Sequence, residues 1–115
     1  MKAYQITNWA EKYEVAQGRK CTTMKWVAVP NSHIGNGYAA MVEHDRRESL
    51  FCAWNLIIQV ASKMPKRGLL VADSGKALTA KNLAFQTHFP AEIFELAFEV
   101  LSQDDIGWLE RVEIV

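Results

Sequence analysis

The sequence predicts an α+β fold organised around a helix-turn-helix. The informative stretch is 78–109, LTAKNLAFQTHFPAEIFELAFEVLSQDDIGWL, which has the pattern of a short helix, a break and an amphipathic helix. The segment that follows, WLERVEIV, has an extended pattern. Helix, tight turn, helix and strand is the order of a winged helix-turn-helix. Half of the 115 residues are hydrophobic, which is enough for one domain with a core.

The first helix of the motif is predicted over about 80–87. Thr79 is its expected N-cap, because a threonine hydroxyl accepts a hydrogen bond from a backbone N–H of the first turn. Leu83 and Ala84 face inward. A break is expected at 88–89. Pro90 is expected where the second helix starts, since its missing N–H costs nothing there.

The second helix is predicted from one apolar stripe that ends before Gly107. Its members recur at helical spacing and are Ile93, Leu96, Ala97, Val100 and Leu101. The outward positions of the same helix are then Glu92, Glu95, Glu99 and Gln103.

Upstream, short strands are expected over 4–9 and 24–30, with a helical turn or loop over 11–19. The second strand is favoured because Trp26 and its valine neighbours have high β propensity, and Pro30 would end the ladder.

A short helix is expected over 38–44 and a long scaffold helix over about 47–63, which Pro65 would end. A strand over 69–72 and a turn at 73–75 then lead into the motif. The expected core positions of the two helices are Met41, Val42, Leu50, Phe51, Ala53, Trp54, Ile57, Ile58, Val60, Ala61 and Met64. We therefore expect a single domain over 1–115, with an N-terminal extension (1–44) packed on a helix-turn-helix core and wing strand (45–115).

Trp26 and Trp54 are expected in the core, because they lie in predicted buried faces. Trp9 and Trp108 are the two candidates for exposed platforms that stack on unpaired bases, although such residues more often anchor a terminal strand. Cys52 lies in an apolar helical run and is expected to be a buried free thiol, typical of a reducing compartment.

No catalytic or metal-binding pattern is present in the sequence. His33, His44 and His88 lack metal-ligand spacing, and the two cysteines form no CxxC pair. Ser74 lies in a turn rather than a nucleophile elbow. The glycines of 34–38 lack the Lys-Ser/Thr of a phosphate loop. We expect no enzyme activity, no cofactor and no metal.

The chain resembles the N-terminal domains of phage and prophage replication proteins, the replisome organisers or replication initiators. The resemblance runs from about residue 6 to 110. Its main pieces are Asn8-Trp9, Trp26-Val27, Ala53-Trp54, the L-T-x-x-x-L-A segment at 78–84 and Gly107-Trp108-Leu109. It implies a winged-helix domain that binds origin DNA and works with replication proteins, usually followed by a segment that engages the replicative helicase or its loader.

Charge is distributed unevenly along the chain. Residues 1–81 carry twelve Lys/Arg and six Asp/Glu, a balance of +6, whereas residues 82–115 carry one Arg and seven Asp/Glu, a balance of −6. The carboxylates of the second helix would repel phosphates and argue against an ordinary recognition helix. DNA contact is therefore expected from Lys63, Lys66, Arg67, Lys76, Lys81, Asn82, Gln86 and His88.

The expected function is that of a DNA-binding domain, on double- or single-stranded DNA, in a phage or prophage replication protein. One alternative is a protein-interaction winged helix that uses Glu92, Glu95, Glu99 and Gln103 to dock a basic partner or to form a homodimer. Another is a prophage transcriptional regulator. A third reading is that the basic residues are ordinary solvated lysines. No membrane span or signal peptide is expected, which favours a cytoplasmic protein.

Overall fold

The computed structural model describes residues 1–14 and 24–114. They form an α+β domain, as the sequence predicts. Its elements are β1 (Lys2–Ile6), α1 (Trp9–Lys12), α2 (Asn36–Val42), α3 (Arg47–Ala61), α4 (Ala80–Thr87), α5 (Ala91–Val100) and β2 (Leu109–Glu113).

The two strands bring the ends of the described chain together. β1 and β2 are antiparallel, with Lys2 opposite Glu113 and Ile6 opposite Leu109. The other edge of β1 faces the segment around Leu69, through a single bridge from Gln5. β1, which belongs to the predicted N-terminal extension, therefore lies between β2 and this segment.

The predicted strand over 69–72 is only one arm of a short hairpin. Val71 forms an isolated bridge with Ala77, and the N–H of Leu78 donates to the carbonyl of Leu70 at 2.9 Å. The predicted turn at 73–75 is confirmed, since the N–H of Gly75 donates to the Ala72 carbonyl. A regular strand does not form because the pairing is confined to single bridges on each side.

The scaffold helix α3 carries the centre of the core. Its side chains at Leu50, Ala53, Ile57 and Ala61 are fully buried, and the helix packs against α5 and α4. The prediction that Phe51 widens this buried face is wrong, because 45% of that side chain is exposed. Position 51 follows Leu50 by about 100° around the helix and so lies at the edge of the stripe.

Cys52 is a free thiol, as predicted, but it is half-buried rather than fully buried. It lies about 200° around α3 from Leu50, away from the centre of the buried stripe. The helix therefore buries one face, and the apolar run 50–52 extends beyond it.

The first helix of the helix-turn-helix has the bounds that the sequence predicts, whereas α5 ends at Val100, short of the predicted run toward Gly107. Thr79 caps α4, with its hydroxyl accepting from the N–H of Asn82 at 3.2 Å, and Asn82 Oδ1 accepts from the Thr79 N–H at 2.9 Å. His88 ends α4 in a left-handed conformation with φ of 64°, and Pro90 precedes the first turn of α5. Ile93 is buried as predicted, and the full set of buried α5 side chains is Ile93, Phe94, Ala97, Phe98 and Val100.

This reciprocal cap gives a stability prediction. Thr79→Ala removes one acceptor from the first turn of α4 and is expected to lower the free energy of unfolding by about 1 kcal/mol. Urea unfolding monitored by circular dichroism measures the change. Gln86→Ala, on the exposed face of the same helix, is the control and should change the free energy of unfolding by less than about 0.5 kcal/mol. Equal losses in both variants would contradict a capping role.

The predicted strand over 24–30 is wrong, as is the core position of Trp26. Residues 24–30 are irregular, and 67% of the Trp26 side chain is exposed. High β propensity forms a strand only where the chain pairs with a neighbouring strand, and within the described residues, positions 24–30 form no bridge with any other segment.

The first predicted strand ends earlier than expected, and the short helix α1 follows it. β1 ends at Ile6, and Asn8 takes a left-handed conformation with φ of 56° before α1. Trp9 is only 8% exposed, so it is not a stacking platform, and the alternative of an anchoring side chain packed in the domain agrees with this burial. The remainder of the predicted 11–19 turn, from residue 15, lies outside the described residues.

Trp9 and Tyr13 form a buried aromatic pair. Their rings stack with centroids 4.9 Å apart, and burial raises the pKa of Tyr13 to about 12. Between pH 10 and 12 the unfolded chain loses this phenolic proton while the folded chain keeps it, so stability falls as pH rises through that window.

The Tyr13 contribution to alkaline destabilisation is expected to reach about 3 kcal/mol at about pH 12. Unfolding free energies at about pH 9 and about pH 12 measure it in the wild type and in Tyr13→Phe, which cannot ionise. A Tyr13→Phe variant that loses as much stability as the wild type over this window would contradict the assignment.

Candidate nucleic-acid interface

The outward face of α5 is acidic, as the sequence predicts. Glu92, Glu95 and Glu99 are exposed on this helix, and Gln103 is exposed in the turn that follows its end at Val100. Asp104 and Asp105 continue the exposed acidic surface beyond the helix. A DNA phosphate that approaches this face meets carboxylates, which raises the free energy of binding.

One of these carboxylates is neutralised within the domain. The Arg46 guanidinium pairs with Glu92 through both of its terminal nitrogens, with Nη2 2.8 Å from Oε1. The hydrogen bond from Arg46 lowers the pKa of Glu92, and the same bond raises the pKa of Arg46. Glu92 is therefore a less available docking group than Glu95 and Glu99.

A run of lysines lies between the end of α3 and the start of α4. Lys63 and Lys66 are in the turn after α3, Lys76 is in the second arm of the hairpin, and Lys81 is in the first turn of α4. All four are exposed, and none pairs with a carboxylate within residues 1–14 and 24–114. Unpaired ammonium groups at a surface are available to phosphate oxygens.

Arg67 differs from these lysines, and its position does not agree with the prediction that it contacts DNA. Its guanidinium donates to both carboxylate oxygens of Glu14, from Nε at 2.8 Å and from Nη2 at 2.6 Å. The side chains are 18% and 10% exposed, respectively. A bidentate pair at this depth fixes Arg67 in the structure and withdraws it from the surface.

The remaining predicted contacts have different surroundings. Asn82 uses its side-chain oxygen to complete the α4 cap, which leaves its amide N–H groups on the exposed face. Gln86 is exposed on the same helix, and His88 is exposed in the turn between α4 and α5. These three residues share the α4 side of the motif with Lys81.

Two exposed aromatic residues at this motif were missed by the sequence interpretation. Phe85 is 85% exposed and Phe89 is 43% exposed. A signal for Phe85 was present, because it lies about 200° around the helix from the buried Leu83. The outer side of α4 therefore combines a cation at Lys81 with an exposed ring at Phe85.

Two further properties bear on the kind of protein. Among the described residues, none of the helices has the length and apolar character to cross a bilayer. Within the same residues, no group of three or more histidine, cysteine, aspartate or glutamate side chains is placed to hold a metal ion.

Comparison with known proteins gives no significant match to a family model, a curated protein or a solved structure.

Proposed function

We propose that this chain is a winged-helix, DNA-binding domain of a phage or prophage replication protein. In this proposal the domain holds the DNA backbone with Lys63, Lys66, Lys76 and Lys81. The acidic helix α5 faces away from the DNA rather than entering the major groove.

The order of elements supports the winged-helix assignment. A scaffold helix (α3), an extended arm at Leu69, the helix pair α4 and α5 and the strand β2 follow one another along the chain. The position between the Leu69 arm and β2 is filled by β1. The strand that completes the sheet thus comes from the start of the described chain instead of from a hairpin after α5.

The unpaired lysines are the observation that carries the DNA-binding proposal. Between residues 63 and 81 the chain has five Lys/Arg and one carboxylate, Asp73. Of the five, only Arg67 is engaged in an ion pair among the described residues. Most of the affinity of a protein for the DNA backbone comes from such groups, because each one releases condensed counterions.

Charge reversal tests which side of the domain meets DNA. The double variant Lys76→Glu/Lys81→Glu is expected to weaken binding to labelled duplex DNA by at least about 100-fold at about 50 mM salt, measured by fluorescence anisotropy. The matched variant Glu95→Gln/Glu99→Gln removes charge from α5 and is expected to leave affinity equal or slightly higher. Loss of binding in the α5 variant with none in the lysine variant would reverse the assignment.

A protein-docking function is the second candidate, and the exposed Phe85 supports it. An aromatic side chain that is 85% exposed is typical of an interface anchor. Glu95 and Glu99 would add charge complementarity to a basic partner or to the lysines of a second copy. Light scattering distinguishes the homodimer, because Phe85→Ser should then convert a concentration-dependent dimer to a monomer. A wild-type protein that stays monomeric at about millimolar concentration would exclude it.

A further inference from the structure

A concave site lies where the N-terminal segment, residues 29–38, α3 and the turn before β2 meet. Its volume is about 530 Å³. Clefts of about 300–1,000 Å³ are typical of sites for small ligands. None of the four proposed DNA-binding lysines lines it.

Several side chains that line this cleft are aromatic and partly exposed to solvent. Tyr38, Phe51 and Trp108 contribute rings that are partly or largely exposed, and Trp54 packs behind Trp108 with ring centroids 5.2 Å apart. Ile34, which is 85% exposed, lies at the same cleft. Exposed rings and aliphatic groups in a concave surface gain free energy when a flat apolar ligand covers them.

The polar groups of the cleft define the chemistry of that ligand. Thr7 lines it, and the Thr7 hydroxyl oxygen is buried with no hydrogen-bond partner among the described residues. Asn55 uses its side-chain N–H on the Phe51 carbonyl at 2.8 Å, which leaves its oxygen as an acceptor. The Asn55 oxygen is therefore the acceptor that the cleft offers to a ligand, whereas the Thr7 hydroxyl is enclosed by the protein and lies beyond a ligand's reach.

The charges of the cleft have one sign. Lys12 lies at the cleft and is exposed, and His33 is the other basic group there. Among the described lining residues there is no aspartate or glutamate. A ligand with a negative group is therefore attracted, and one with a positive group has no counter-ion.

We propose that this cleft binds a nucleotide: the flat base covers Phe51, Tyr38 and Trp108, and the phosphate pairs with Lys12. The Asn55 oxygen accepts a hydrogen bond from the polar edge of the base. The same chemistry is offered by a free mononucleotide and by an unpaired nucleotide within single-stranded DNA. Because the cleft is separate from the lysines at 63–81, nucleotide binding in the cleft can be tested independently of the proposed duplex binding.

Calorimetric titration of the whole chain with thymidine, thymidine monophosphate and oligo(dT) tests the proposal. Lys12→Gln is expected to weaken the binding of thymidine monophosphate about 5-fold or more and to leave the binding of thymidine unchanged, because only the phosphate contact is lost. Lys25→Gln, an exposed lysine outside the cleft, should leave the affinity for all three ligands unchanged.

Asn55→Ala tests the acceptor of the cleft. It removes the oxygen that accepts from the base, so the binding of thymidine, thymidine monophosphate and oligo(dT) is expected to weaken about 5-fold. Thr7→Val is the control, because its hydroxyl is enclosed by the protein and its loss should leave the affinity for all three ligands unchanged. An equal loss of affinity in both variants would contradict the role of Asn55.

The outcomes identify the source of the ligand. Binding of the monophosphate that responds to Lys12→Gln and Asn55→Ala supports a free nucleotide. Binding of oligo(dT) alone, with the same response, supports an unpaired nucleotide of a single strand. No binding of any of the three at about 10 mM, or binding that neither variant alters, would overturn the proposal. Lys76→Glu/Lys81→Glu should abolish duplex binding while the monophosphate still binds, which separates the two proposals.

Discussion

Gly68→Ala is expected to lower the free energy of unfolding by about 3–5 kcal/mol, through backbone strain and overpacking together. Gly68 has a φ of +92°, which residues with a Cβ rarely adopt. A Cβ at this position would lie 2.6 Å from Cγ of Trp9. Relief by movement is restricted, since the Gly68 N–H donates to Ala61 and its carbonyl accepts from Ile6 at 2.8 Å.

Gly75→Ala is the matched control for that substitution. Gly75 has a similar φ of +85°, but a Cβ added there would have no atom within 4 Å, so the variant isolates the backbone contribution. Its expected loss is about 1 kcal/mol. Chemical denaturation of both variants measures the difference. Equal losses would show that the contact with Trp9 contributes nothing to the requirement for glycine at position 68.

Arg67→Met is expected to lower the free energy of unfolding by about 3 kcal/mol, because it removes a bidentate guanidinium from the largely buried Glu14 carboxylate. Glu14 also accepts a hydrogen bond from the indole N–H of Trp9. Loss of the guanidinium therefore disturbs the same corner in which Trp9 packs on Tyr13 and Gly68.

Arg47→Met provides the exposed comparison. Arg47 pairs with Glu48 at 3.6 Å, with both side chains more than half exposed, and donates one bond to the Val42 carbonyl. Its replacement is expected to change the free energy of unfolding by less than about 1 kcal/mol. Thermal or urea unfolding of the two variants side by side tests the ranking. A smaller loss in Arg67→Met than in Arg47→Met would contradict the structural role of the Glu14 pair.

The helix-turn-helix was predictable because its signals are local. A cap at Thr79, a proline at position 90 and an apolar stripe that includes Ile93 all act within a few residues of chain. The bounds of α4 accordingly agree with the expectation. The sheet was not predictable in the same way, since β1 pairs with a strand more than a hundred residues away and the segment at 24–30 has the right propensity but pairs with no strand among the described residues.

In the candidate interface too, properties that depend on the local sequence were predictable, and those that depend on distant contacts were not. Exposure of Glu95 and Glu99 followed from helical periodicity alone. The pairing of Arg67 within the domain depends on Glu14, which is distant in sequence and is brought close only by the fold. Composition could therefore identify the basic stretch, but not which of its cations is already paired within the domain.

The salt dependence of duplex binding tests the central proposal most directly. With four lysines on phosphates, affinity for a labelled duplex is expected to fall about 100-fold between about 50 and 200 mM salt, measured by fluorescence anisotropy. Each Lys→Gln substitution at positions 63, 66, 76 or 81 should reduce the slope of log affinity against log salt by about 1. Absence of binding at about 50 mM, or an affinity that salt and these substitutions leave unchanged, would contradict the account.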